Sequence, residues 1–222
     1  MTVTADSNAD KDDKGLTLDW KRGLIPLSLL TLIILYYYFH APFWVLLLFC
    51  MWIPLFYLGV PFYTRRKWEA FEETFARRFQ RGEHKQLLED YRNQWFLRRF
   101  GPRDLMLSKL GLIYSAMEKY PEAEYAFEEA IQATEGRVPE KLHFNLANAK
   151  FEQEKYDEAM RIYLSLKGRS PYQAAAKARM ALIDLERDNR TEQALDNLQN
   201  LRHTVSGSLK KRIDRALARH RP

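Results

Sequence analysis

Histidine and cysteine side chains, which supply most metal ligands and many nucleophiles, are few in this sequence and widely separated. It has five histidines and one cysteine in 222 residues, and no pair of histidines has the HExxH spacing of a zinc-binding helix. Cys50 has no second cysteine with which to form a disulfide bond or a thiolate metal site. We therefore expect no metal site.

Phosphate-binding loops are absent from the sequence, and its paired carboxylates have a simpler explanation than catalysis. No GxGxxG or GxxxxGK(S/T) segment is present to hold a phosphate group. Adjacent carboxylates such as Glu128 and Glu129 occur in charge-rich stretches with helical periodicity, where exposure to water explains them. We therefore expect that the protein binds no cofactor and is not an enzyme.

A long uncharged segment follows the first 22 residues. Residues 23–63 contain no Asp, Glu, Lys or Arg, and these 41 residues in one helix would extend roughly 60 Å, about twice the hydrocarbon thickness of a bilayer. Pro42 interrupts the segment, because proline disfavours helical conformation in the residue before it. The segment predicts a transmembrane helical hairpin with spans at 24–39 and 43–63, and a re-entrant hairpin is the alternative.

Basic residues on either side of this segment predict its orientation. Lys21 and Arg22 precede it, Arg65, Arg66 and Lys67 follow it, and its central turn has no Lys or Arg. Because basic residues that flank membrane spans tend to stay in the cytoplasm, we expect an integral protein of the cell (inner) membrane with both termini cytoplasmic. Arg65, Arg66 and Lys67 are then candidates for contact with anionic lipid headgroups.

The rest of the chain has helical periodicity interrupted by short polar breaks that contain glycine or proline, and no useful length alternates with the period of a strand. The predicted fold class is therefore all-α, with the transmembrane hairpin followed by an α-solenoid of helix pairs. We predict a disordered cytoplasmic tail at 1–22, a two-helix membrane anchor at 23–63, a juxtamembrane helix pair at 64–103, a repeat array at 104–206 and a basic closing helix at 207–222.

Two stretches of this helical region have small and aromatic residues at matching positions, with a step of 36 residues from Ala123 to Ala159. The first carries Leu107, Leu110, Gly111, Tyr114, Tyr120, Ala123, Phe127 and Ala130, and the second carries Leu146, Ala147, Tyr156, Ala159, Tyr163 and Pro171. This pattern resembles the tetratricopeptide repeat (TPR), with Lys150 where that family usually has an aromatic residue. A third, weaker unit keeps only apolar positions between Ala181 and Leu201. The small residues are expected to let paired helices approach closely.

The resemblance implies a concave groove lined by the first helix of each pair. Carried over to this sequence, the candidate protein-binding residues are Lys109, Leu112, Lys141, Phe144, Asn145, Asn148, Arg179 and Ile183. Asparagine amides both donate and accept hydrogen bonds, so Asn145 and Asn148 suit the backbone of an extended peptide. Lys109, Lys141 and Arg179 add positive charge, which favours an acidic segment or a terminal carboxylate as the partner.

The resemblance therefore predicts a membrane-anchored adaptor that presents a peptide- or protein-binding groove at the cytoplasmic face and scaffolds a protein complex. The alternative is a structural subunit of a membrane complex, held through its transmembrane hairpin. Three units bury little surface, so self-association or a permanent partner could complete the array. The basic residues near the C terminus have no interleaved aromatic residues, so nucleic acid is a weaker expectation than a protein.

Overall fold

The computed structural model describes residues 20–37, 42–166, 171–187 and 191–220. These residues form eleven α-helices and no β-strand. The all-α fold class expected from the sequence is therefore confirmed. Residues 1–19 of the predicted tail lie outside the described residues, and its last three positions belong to the first helix.

The chain divides into two compact units, Met1–Tyr63 and Thr64–Pro222. In the first unit the described residues form α1 (Trp20–Tyr37) and the beginning of α2 (Phe43–Gln80). Large apolar side chains of this unit are exposed, for example Leu30, Trp52 and Leu58. Among the described residues, no helix is both long and apolar enough to cross a membrane, so the predicted hairpin of two spans is not supported.

The second unit contains the remainder of α2 and, within the described residues, nine further helices. Their bounds are α3 His84–Asn93, α4 Trp95–Phe100, α5 Arg103–Ala116, α6 Tyr120–Ala133, α7 Glu140–Glu152, α8 Tyr156–Ser165, α9 Gln173–Glu186, α10 Thr191–Leu201 and α11 Gly207–Arg219. The helices α5 and α6, α7 and α8, and α9 and α10 pack together as pairs, and α6 and α8 also contact the helix that follows them.

The region predicted as a juxtamembrane helix pair differs from that prediction in both of its helices. Its first helix is the continuation of α2, which runs to Gln80 without a break after the uncharged segment. Its second helix is divided into α3 and α4 at Gln94, whose N–H donates to the carbonyl of Tyr91 at 3.2 Å. This bond to the third residue back closes α3 with a tightened turn. Phe71 and Phe75 of α2 are buried against these helices and α5.

The turns inside the first two pairs repeat the same backbone geometry. Glu118 and Glu154 both have a left-handed φ, of 60° and 61°. In each turn the N–H of the next residue donates to a carbonyl five residues earlier, at 2.9 Å and 3.0 Å. This arrangement joins two helices through a very short connection. The two turns share the 36-residue offset that relates Ala123 to Ala159.

Gly111 of α5 packs closely against the ring of Phe127 in α6. A Cβ atom added to Gly111 would lie 2.5 Å from Cε1 of Phe127, and the Phe127 ring is completely buried. Glycine is therefore required for this approach, as the sequence pattern predicted. The equivalent position in the next pair is Ala147, which is also completely buried.

The helix α11 packs against α9 and α10 and closes the array. Leu209 and Ile213, one helical turn apart, are buried in the same core cluster as Leu182 of α9 and Leu198 of α10. This apolar stripe is what places α11 against the third pair. The rest of α11 is strongly basic, with residues such as Lys210 and Lys211 exposed.

Candidate functional site

The eight candidate protein-binding residues lie on α5, α7 and α9, the first helix of each pair, but they have unlike surroundings. Ile183 has no exposed surface and belongs to the core, so it supports the third pair and is not accessible to a partner. Leu112 is partly buried between two core clusters. Lys141 is exposed at the start of α7.

Lys109 and Phe144 have contacts within the chain. The Nζ atom of Lys109 lies 3.1 Å from the carboxylate of Glu72 in α2 and 4.6 Å from the centre of the Phe75 ring. Phe144 stacks on Tyr172, with ring centroids 5.0 Å apart and an interplanar angle of 22°. Lys109 is therefore already partly neutralised, whereas Phe144 and Tyr172 form an aromatic surface that is only partly buried.

Asn145 and Asn148 are adjacent on α7 but differ in their hydrogen bonding. The Oδ1 atom of Asn148 accepts a hydrogen bond of 2.8 Å from the hydroxyl of Tyr163, which is buried in the core. Burial raises the pKa of Tyr163 well above its usual value, so the hydroxyl keeps its proton and acts as the donor. The Nδ2 atom of Asn145 is buried and has no hydrogen-bond partner among the described residues. Asn145 is therefore the better candidate for an exchange of hydrogen bonds with a ligand.

This difference in hydrogen bonding predicts that two asparagine variants differ in stability. We expect Asn148→Leu to lower the free energy of unfolding by about 1–3 kcal/mol, because it leaves the buried Tyr163 hydroxyl without its acceptor. Asn145→Leu removes an amide donor that is already unpaired, and we expect a change below about 1 kcal/mol. Urea unfolding of the full chain, followed by far-UV circular dichroism, measures the free energy of unfolding of both variants. Equal losses in the two variants would contradict the assignment.

Arg179 of α9 and Arg212 of α11 converge on a single carboxylate, that of Glu152 at the end of α7. Arg179 Nη1 lies 3.4 Å and Arg212 Nη1 2.9 Å from oxygen atoms of Glu152. Both guanidinium groups also lie over the ring of Phe151, at 5.2 Å and 4.8 Å from its centre. The Nε atom of Arg179 is buried without a hydrogen-bond partner among the described residues. The Glu152 carboxylate thus pairs with both guanidinium groups, and the Nε donor of Arg179 stays without an acceptor among the described residues.

These arginines belong to the wall of an open cavity of about 580 Å³. The wall includes the end of α5 and the turn to α6, the last residue of α7, three residues of α9 and one face of α11. Of the predicted residues, only Arg179 lines this cavity. The sequence predicts α11 only as a basic closing helix, so its contribution to this cavity was not predicted. The spacing of Arg212, Arg215 and Arg219, which share one helical face, was the available signal.

A second charged cluster surrounds the buried Lys150 and Glu124 and joins three helices. Lys150 Nζ lies 2.6 Å from Glu124, 3.1 Å from Glu128 and 2.7 Å from Glu158. Burial raises the pKa of Glu124, but hydrogen bonds from Lys150, Lys155 and Gln153 outweigh it and hold that pKa below its usual value. Lys150 is the residue that departs from the aromatic preference of the TPR pattern. Its amine is compensated by carboxylates of α6 and α8, which makes this cluster structural.

The remaining predictions concern lipid and metal ligands. Arg65, Arg66 and Lys67 are exposed on α2, and Arg65 Nε lies 3.1 Å from the carboxylate of Glu69. Their contact with lipid stays a prediction. Over the part of the chain that the structure describes, no three His, Cys, Asp or Glu side chains group in a way that could hold a metal ion.

Comparison with known proteins supports the resemblance in one region of the chain. Residues 105–135 match the profile of a family described as tetratricopeptide repeat. This range covers nearly all of α5 and all of α6, including the contact between Gly111 and Phe127. No curated protein and no solved structure matches the chain. The match therefore identifies one TPR-like unit in α5 and α6, and α7 and α8 repeat the turn geometry of that unit.

Proposed function

We propose that this chain is a non-enzymatic adaptor or scaffold that binds a protein or peptide partner along α5, α7 and α9. TPR units are typically protein-interaction modules, and one unit matches that family. The observation that carries the proposal is the buried Nδ2 of Asn145, a donor on the first helix of the second pair with no partner among the described residues. Phe144, next to Asn145 on α7, and Tyr172, directly before α9, form a partly buried aromatic surface.

We further propose that residues 23–63 attach the adaptor to a membrane, with both termini in the cytoplasm. The support is the exposure of large apolar side chains on α1 and on the beginning of α2, because a patch of this kind marks a surface that is covered by lipid or protein. Arg65, Arg66 and Lys67 are exposed where α2 becomes charged and are placed to meet anionic headgroups. The cell (inner) membrane is the proposed location.

The same exposed apolar side chains also favour a second candidate function. A structural subunit of a membrane complex would use them to pack against apolar helices of other proteins. In that case the repeat array stiffens the assembly and its first helices need no occupant. Self-association through either unit is compatible with both candidates.

The two candidates predict different crosslinks in the source cells. We expect a photo-crosslinking amino acid at Lys141, which is exposed on α7, to give a discrete adduct with a partner protein. The same probe at Tyr125, which is 53% exposed on α6, is the matched control and should give none. Products are identified by gel shift and mass spectrometry.

A probe at Leu47, exposed on α2, tests the alternative in the same experiment. An adduct at Leu47 with none at Lys141 would contradict the adaptor proposal and favour the structural subunit. Equal labelling at Lys141 and Tyr125 would show contact without a specific groove, and would also contradict the proposal.

A further inference from the structure

One face of α11 supplies most of the basic side chains of the cavity described above. Its lining residues on this helix are Ser208, Leu209, Arg212, Arg215, Ala216 and Arg219. They recur at intervals of three and four residues, which is the spacing of a single helical face. Leu209 anchors this face in the core, and the three arginines follow it toward the end of the helix.

Positive charge exceeds negative charge in the wall of the cavity. Its four arginines are Arg179 from α9 and three from α11, and its carboxylates are Glu118, Glu152 and Glu186. Glu152 is engaged by two of the arginines at once. Arg215 and Arg219 are exposed, and over the described residues neither forms an ion pair with a carboxylate. These two guanidinium groups are therefore available to bind an external anion.

The buried and unpaired Nε atom of Arg179 is an independent sign of a missing acceptor. The Nη1 atom of Arg179 lies 3.4 Å from Oε1 of Glu152, and this distance is long for a charge-assisted hydrogen bond. A guanidinium group binds a carboxylate best through two parallel N–H bonds. A carboxylate that enters the cavity could replace the long contact of Arg179 with a pair of shorter bonds, provided that the side chain turns toward it.

We propose that this cavity binds a carboxylate-rich segment of the protein partner, with Arg215 and Arg219 as its first contacts and Arg179 as a deeper one. The inference rests on the proposed adaptor function and names the chemistry of its ligand. A peptide is favoured over nucleic acid because Tyr120 is the one aromatic residue in the lining of this cavity and the α11 face has none, whereas single strands bind where successive bases stack on several aromatic side chains. The size of the cavity is within the range of specific ligand sites.

The test measures binding of a fluorescein-labelled hexaglutamate peptide to the full chain in non-ionic detergent at physiological salt. We expect hexaglutamate to bind at least about tenfold more tightly than hexaglutamine. Arg215→Gln combined with Arg219→Gln should weaken hexaglutamate binding by about tenfold. Lys210→Gln combined with Lys211→Gln is the matched control, since it removes the same charge from exposed residues of α11 outside the cavity wall. This control should weaken binding by less than about twofold.

Four results would overturn the inference. The first is equal weakening in the arginine and lysine variants, which indicates general attraction to a basic helix. The second is an absence of preference for hexaglutamate over hexaglutamine. The third is tighter binding of a six-nucleotide oligothymidine that depends on the same two arginines. The fourth is a partner that still crosslinks from Lys141 in the arginine variant, which would overturn this site while the adaptor function stands. If the chain without the arginine substitutions gave no adduct from Lys141, the adaptor function itself would be contradicted.

Discussion

Replacement of Lys150 by Met should lower the free energy of unfolding of the chain by about 2–4 kcal/mol. Lys150 is buried and its Nζ atom contacts three carboxylates, two from α6 and one from α8. Without the amine, the buried carboxylate of Glu124 keeps only Lys155 and Gln153 as donors. Removal of one member of a buried ion cluster costs more than the cluster contributes, because it leaves an uncompensated charge in the interior. Urea unfolding measures the loss.

Two further variants separate this explanation from a simple change of volume. Lys155→Met removes a half-exposed partner of the same carboxylate, and its cost should stay below about 1 kcal/mol. Adding Glu124→Gln to Lys150→Met removes the stranded charge and should recover at least about 1 kcal/mol. A cost below about 0.5 kcal/mol for Lys150→Met, or no recovery in the double variant, would contradict a role of the cluster in joining α6, α7 and α8.

The first two helix pairs could be predicted from sequence because their signal is local. Gly111, Ala123 and Phe127 lie within one pair, and their spacing alone predicts where two helices approach. The ion cluster could not be predicted in the same way. Lys150 stood out as a departure from the pattern, but Glu124 lies 26 residues away in sequence and only the packing of three helices brings them together.

Helix boundaries near residue 63 show a different limit of sequence analysis. The predicted anchor ends where charged residues begin, yet α2 continues to Gln80. A change from apolar to charged side chains alters the preferred surroundings of a helix and does not interrupt its backbone hydrogen bonds. The division at Gln94 was missed because no glycine or proline marks it.

The candidate site was predicted at the level of helices but not of individual side chains. Arg179 does line a cavity, whereas Ile183 is buried and Asn148 is bonded to Tyr163. The resemblance to a repeat family implies which helices would line a groove, but hydrogen bonds inside each pair decide which side chains remain available. The partner of Arg212 is Glu152, 60 residues earlier, so the role of α11 required the folded chain.

Replacement of Gly111 by Ala should lower the free energy of unfolding by about 1–3 kcal/mol. The new methyl group would lie 2.5 Å, 2.6 Å and 2.8 Å from three atoms of the Phe127 ring, which has no exposed surface and little room to move. Alanine is intrinsically better than glycine inside a helix by about 1 kcal/mol, so a net loss requires that the clash exceed this gain. Thermal and urea unfolding of the full chain both measure the balance.

A double-mutant cycle with Phe127→Leu tests whether the ring is the cause. Phe127→Leu alone opens space in the core and should itself be destabilising, but Gly111→Ala should cost less in its presence, with a coupling of at least about 1 kcal/mol. In the second pair the equivalent of Gly111 is the buried Ala147, and the equivalent of Phe127 is Tyr163 in the same core cluster. The repeat therefore tolerates a methyl group at this position where the aromatic ring leaves room for it. If the Phe127 ring could move aside at no cost, Gly111→Ala would not be destabilising and the cycle would be additive. That result would contradict the conclusion that the Phe127 ring position requires glycine at 111.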